Sequence, residues 1–236
     1  PNVLLNNNRD GSWRRIGAEE GMPSADRGSR QVLVADIDRD RDLDLIVLNK
    51  ELPNDVFIND RLWRYREAEG FDALRSHVAA AIIAVDRDAD GEIELITRGL
   101  SGAMHIWRLA DDGQWGSVPL DEEIRQDASL MPMPDLAMVD VTGAGEGSLI
   151  YPTDEGLHCG EQVLPASGLK SWAPVNLHVA KGPSVVAIES NSDGELRLVE
   201  FPPGPGRFPF IAVSFTGQVD PGQSMRSNAS GIGTQY

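Results

Sequence analysis

A single cysteine, Cys159, stands in 236 residues, so no disulfide can form within the chain and the small disulfide-stapled secreted class is excluded. No apolar run approaches the roughly 18 residues that a membrane-spanning helix needs. Basic residues are scarce: 21 Lys and Arg against 37 Asp and Glu leave a net charge of −16. That balance argues against a nucleic-acid partner and disfavours an anionic membrane surface. Catalytic constellations are missing too. His77, His105, His158 and His178 are scattered, form no His-Glu-x-x-His pair and have no zinc spacing to Cys159; they are read as satisfied strand or loop residues. There is no Gly-x-Ser-x-Gly elbow. The run Gly143 to Gly147 has the wrong spacing for a phosphate loop, and Glu146 within it would repel phosphate. The chain begins Pro-Asn-Val-Leu-Leu, without an initiator Met or a signal peptide, and ends Gly-Ile-Gly-Thr-Gln-Tyr. Both ends are expected to be cuts in a longer polypeptide, with any localisation signal outside it.

What is present is an ordinary globular composition, 41% apolar and 25% charged, on a chain long enough to bury a sizeable core. Within it lies a repeat. Four segments share an apolar lead-in, a polar or acidic turn and an apolar exit, the turns opening at Asp36, Asp86, Asp140 and Glu189. The openings are 50, 54 and 49 residues apart, the length of a four-stranded propeller blade. The remainder of each unit reads as short strands broken by Asp-Gly or Asn-Asp, which are hairpin signals. Examples are Asn54 to Asp60 leading to Leu62–Tyr65, and Ala103 to Leu109 leading through Asp111-Asp112-Gly113 to Trp115. Val3 to Trp13 has the same layout and reads as the second half of a blade. Helix signals are weak; Glu67 to Val78 is expected to be a short helix or an irregular link. The fold expected is all-β, a β-propeller with about four to five blades in this chain.

The turns have the chemistry of metal loops. A hard dication such as Ca²⁺ takes about six to eight oxygens, and a tight loop supplies them from alternate positions. The first loop offers Asp36, Asp38, Asp40, Asp42 and Asp44; the second offers Asp86, Asp88, Asp90, Glu92 and Glu94. Carboxylates packed this closely repel one another without a cation. Positions 1, 3, 5 and 9 are the expected side-chain ligands, position 7 can give its carbonyl, and position 6 favours glycine for a sharp turn. Gly91 meets that demand in the second loop, whereas Arg41 stands there in the first. The third loop keeps Asp140, Thr142 and its glycines and is expected to hold no metal. The fourth has Glu189, Asn191 and Asp193, with Arg197 at position 9, where it can pair with the carboxylates in place of a cation. These are not EF-hands: position 12 is Val47 or Thr97 instead of a bidentate Glu, and β-branched runs flank the loops.

The Asp-x-Asp-x-Asp-x-x-x-Asp loop followed by Leu-Asp-Leu-Ile-Val resembles the FG-GAP or VCBS repeat, as in integrin α-subunit propellers and many bacterial extracellular proteins. The resemblance covers roughly residues 1–200 and is most specific in the first two loops. It implies calcium loops on a propeller, typically seven-bladed, in residues 1–203. A second resemblance follows. Arg207-Phe-Pro-Phe210 and the cluster Arg226-Ser-Asn228-Ala-Ser-Gly231-Ile-Gly233 are similar to the start of an ASPIC/UnbV domain, which would occupy 204–236. Such proteins are secreted or envelope-associated, which implies an extracellular or periplasmic location.

Among five tryptophans, Trp13, Trp63 and Trp115 fall at similar places in their repeats, pointing to packing between blades more than to sugar stacking. The function expected is a calcium-stabilised module that binds a protein or glycan on a propeller face. Remaining blades would come from the same polypeptide or another chain. The alternative is part of a propeller enzyme whose site lies in the channel or on another domain.

Overall fold

The computed structural model describes residues 2–8, 10–22, 27–61, 64–120, 136–141, 147–153, 155–160, 162–178 and 182–202. The segment 204–236, which carries the ASPIC/UnbV resemblance, lies outside the described residues, as do Trp63 and the third-loop residues Thr142 to Glu146. The described residues are all-β apart from a 3-10 turn at Ala18–Glu20 and one helical turn, Asp72–Arg75, within the stretch expected to be a short helix or link. Among them no helix is long and apolar enough to cross a membrane.

The fold is of the β-propeller class. Its repeating unit is a meander in which each strand pairs antiparallel with the next. The residues fall into two compact units that divide after Arg75. In the first unit, β1 (Leu4–Asn7) and β2 (Trp13–Ile16) form a hairpin, followed by a four-stranded sheet of β3 (Ser29–Ala35), β4 (Asp44–Asn49), β5 (Asp55–Asn59) and β6 (Tyr65–Glu67). The second unit holds three sheets. One comprises β7 (Ala81–Val85), β8 (Glu94–Arg98), β9 (Met104–Leu109) and β10 (Trp115–Pro119). The next comprises β11 (Ala137–Val139), β12 (Ser148–Thr153), β13 (Gly156–Cys159) and β14 (Gln162–Pro165). The last has three strands among the described residues: β15 (Leu169–His178), β16 (Gly182–Ser190) and β17 (Leu196–Phe201).

Continuous apolar runs in the second strands explain how the sheets stack. Side chains alternate between faces along a strand, so a run such as Leu45 to Leu48 is stable only if both faces are covered. All six residues of β4 and all five of β8 are buried. In the second unit, β12 shows the two directions. Leu149 and Tyr151 join Ala81, Ile96, Met104 and Ile106 of the preceding sheet, while Ile150, with Leu157 and Cys159, joins Trp172, Val185 and Ala187 of the following one. In the first unit, Ile16 packs with Leu45, Phe57 and Tyr65, so the β1–β2 hairpin covers the four-stranded sheet beside it. Strands away from the second position read differently: four of the five residues of β10 are exposed.

Trp115, Trp107 and Trp172 are buried, but Trp13 is 61% exposed. The expectation that Trp13 packs like Trp115 does not hold, because on the two-residue alternation it is Ile16 that turns into the core.

Candidate metal centres

Both acidic loops join the first strand of a four-stranded sheet to the second. The first runs from the end of β3 to the start of β4, and the second from β7 to β8. Each loop has nine residues counted from the opening aspartate, and the backbone bends alike in both. Positions 4 and 6 are left-handed: Arg39 (φ 64°) and Arg41 (φ 75°) in the first, Ala89 (φ 57°) and Gly91 (φ 88°) in the second. Only the position-6 bend was anticipated. Left-handed residues after positions 3 and 5 turn the chain back, which brings the side chains of positions 1, 3 and 5 to one side.

The structure brings positions 1, 3 and 5 together. Carboxylate oxygens of Asp36, Asp38 and Asp40 lie within 4.8 Å of one another, and so do those of Asp86, Asp88 and Asp90. Loop N–H groups hold them. Arg41 N donates to Asp36 Oδ2 (3.0 Å), Asp40 N to Asp38 Oδ1 (3.2 Å) and Asp42 N to Asp40 Oδ1 (2.9 Å). In the second loop Asp90 N and Gly91 N donate to the two oxygens of Asp86, each at 3.1 Å, and Glu92 N donates to Asp90 Oδ1 at 2.7 Å.

Position 9 lies at the foot of the loop. Asp44 and Glu94 are 1% and 2% exposed. Asp44 Oδ2 accepts from Ile37 N and Oδ1 from Asn59 N, both at 2.9 Å; Glu94 Oε2 accepts from Arg87 N at 2.9 Å. These carboxylates tie position 2 to the second strand, and each oxygen has a further lone pair. Position 7 stands apart from the three grouped carboxylates: Asp42 reaches the Arg61 guanidinium at 3.4 Å, and Glu92 is exposed.

The first loop is electrostatically uncomfortable without a cation. Burial, reinforced by the charge of Asp40, holds both Asp36 and Asp38 above the usual carboxylate range. Burial pushes Asp44 up to about 6, against the N–H bonds from Asn59 and Ile37 and with the help of the charges on Asp38 and Asp40. Asp36 Oδ1 is buried with no hydrogen-bond partner among the described residues. Orphaned buried oxygens and raised carboxylates are what a bound dication relieves, and an all-oxygen donor set suits a hard one.

The fourth loop differs in kind. Asn191 closes it as a hairpin: Gly194 N donates to Asn191 O, and the Asn191 side-chain oxygen accepts from Asp193 N (3.0 Å) and Glu195 N (2.8 Å). Glu189 is paired across the strands with Arg197, whose Nε and Nη2 reach Glu189 Oε2 at 2.8 and 2.6 Å. A guanidinium thus stands where the first two loops have their ninth carboxylate.

Sequence reasoning missed two groupings. Arg108 donates to Asp88 Oδ2 (2.8 Å) and Glu94 Oε1 (3.1 Å), placing a cation beside the second loop. The histidines are less scattered than their spacing implied. His77 and His105 meet edge to face at 4.9 Å, with Trp107 at 5.1 Å from His77. Trp107 Nε1 donates to Thr97 Oγ1 at 2.8 Å, which leaves the Thr97 hydroxyl proton for His77 Nε2 at 3.3 Å. His105 Nδ1 is buried without a hydrogen-bond partner among the described residues, so this histidine is not the satisfied strand residue expected. His158 stacks on Tyr151.

No protein-family model and no curated protein sequence matches the chain. A similar solved structure is the crystal structure of the V. cholerae biofilm matrix protein Bap1, 17% identical, with a TM-score of 0.46. The match covers 74% of this chain and 31% of that one.

Proposed function

We propose that the chain is a calcium-binding β-propeller module of the FG-GAP or VCBS type, in which Ca²⁺ is structural. Asp36, Asp38 and Asp40 hold one ion and Asp86, Asp88 and Asp90 a second, with Asp44 and Glu94 closing the sites from below. The observation that carries the reading is the recurrence of one donor set on one backbone bend at the same place in two sheets, three carboxylates within 4.8 Å in each. Calcium stiffens the loops that join the first two strands of these two sheets, and the connecting loops of a propeller face are where a protein or glycan ligand would dock. Modules of this kind outside the cytoplasm bind calcium at about 10⁻⁴–10⁻³ M, so the proposed location is extracellular or periplasmic.

The test is thermal melting of metal-stripped protein in EDTA and in millimolar CaCl₂, alongside Asp38→Asn and Asp88→Asn. At this affinity millimolar CaCl₂ reaches about ten times the dissociation constant, which adds about 1.4 kcal/mol per site, or roughly 3–6 °C in a chain of this size. The rise should be reduced in each variant. Identical melting with and without calcium would make the loops solvated turns and end the proposal.

A further inference from the structure

The two loops share their carboxylates but not their surroundings. In the second, one guanidinium spans positions 3 and 9: Arg108 Nη2 lies 2.8 Å from Asp88 Oδ2 and its Nε lies 3.1 Å from Glu94 Oε1. In the first, Asp44 at position 9 is held by backbone N–H groups, and the guanidinium beside Asp38 is that of Arg66 at 3.9 Å, with its Nε turned to Asp60 at 3.0 Å. Strand register explains the difference. Leu45 pairs with Phe57 in one sheet and Leu95 with Trp107 in the other, so Ile58 and Arg108 hold the same place on the third strand. Ile58 is buried, whereas the Arg108 side chain is 56% exposed and lies against the loop.

We propose that Arg108 is a resident competitor for the ion of the second loop, so that the first loop fills with calcium before the second, and filling the second releases the Arg108 guanidinium. This rests on the calcium reading above. An ion in the second loop draws on the oxygens of Asp88 and Glu94 that Arg108 already holds. Hydrogen bonds between two charged groups are about twice as strong as neutral ones, and the exposure of Arg108 weakens them in part. Their displacement is therefore expected to cost the second loop about tenfold in calcium affinity.

Calorimetric titration of calcium into the full chain tests this. Asp38→Asn silences the first loop; Arg108→Met and Arg108→Gln then remove the guanidinium while keeping a stem of similar length, and the exposure of Arg108 makes both compatible with folding. The second loop should bind calcium about tenfold more tightly in both variants, and the chain with both loops intact should show two classes of site, the tighter one lost with Asp38→Asn. Unchanged or weaker second-loop affinity without Arg108, in variants that melt as the parent does, overturns the competitor and leaves the calcium reading standing. No calcium uptake by the unaltered chain or any variant overturns both.

Discussion

Replacing Asp44 with asparagine should remove a pH dependence from the stability of the metal-free protein. Asp44 is 1% exposed, and burial has pushed its carboxyl from an ordinary 3.8 up to about 6. A carboxyl raised in the folded chain binds its proton more tightly there than in the unfolded chain. The stability it lends is complete below about pH 4 and is lost as the pH rises through 6. At about 1.4 kcal/mol per unit, the full loss is about 3 kcal/mol. The asparagine side chain keeps the shape and one acceptor oxygen but does not titrate; whatever its lost hydrogen bond costs is the same at every pH. Urea denaturation in EDTA, run from about pH 4 to pH 8, should show the unaltered chain losing about 3 kcal/mol relative to Asp44→Asn over that span. Saturating calcium should flatten the difference, since an ion offsets the buried charge. A difference between the two proteins that stays constant across this range refutes the reasoning.

Three further outcomes follow from the geometry. Arg197→Met strands Glu189, buried at 1%, without its guanidinium; because Arg197 is itself largely exposed, the cost is expected to be about 2 kcal/mol, seen as a 4–8 °C fall in melting temperature, and the double change Glu189→Leu with Arg197→Leu should cost less. Arg41 holds φ 75° where Gly91 holds φ 88°, so Arg41→Gly should stabilise metal-free protein or leave it unchanged, while Gly91→Ala should lower the urea midpoint by the equivalent of about 1 kcal/mol. Trp107→Phe deletes the buried donor to Thr97 Oγ1 and should cost about 1–2 kcal/mol by urea denaturation; a loss under about 0.5 kcal/mol would show that bond to be dispensable.

The repeat was legible because strands buried on both faces must be written as unbroken apolar runs. Leu45 to Leu48 and the shorter Leu95-Ile96, each just after an acidic turn, mark the second strand of a sheet without any structure. The carboxylates at positions 1, 3 and 5 were legible for the same local reason: an alternating pattern in a tight turn puts them on one side. Less local features were not. The bends at Arg39 and Ala89 carry no glycine to announce them. Arg108 becomes visible as a partner of the second loop only when the third strands are aligned through their registers, which sets it opposite Ile58 of the first sheet. The His77–His105 contact joins residues 28 positions apart through the Thr97–His105 pairing, a relation that ligand-spacing rules do not reach. Arg197 was legible in both place and role because cross-strand pairing with Glu189 follows directly from the hairpin.

The central claim is that these loops are ion sites, and counting the ions tests it most directly. Metal-stripped protein brought to equilibrium by dialysis against about 10 mM CaCl₂, about ten times the weaker dissociation constant, with calcium measured by atomic emission on both sides of the membrane, should hold close to two calcium ions per chain in excess of the buffer, and close to one in either Asp38→Asn or Asp88→Asn. A chain that holds none, or that holds the same number after both substitutions, would contradict the account.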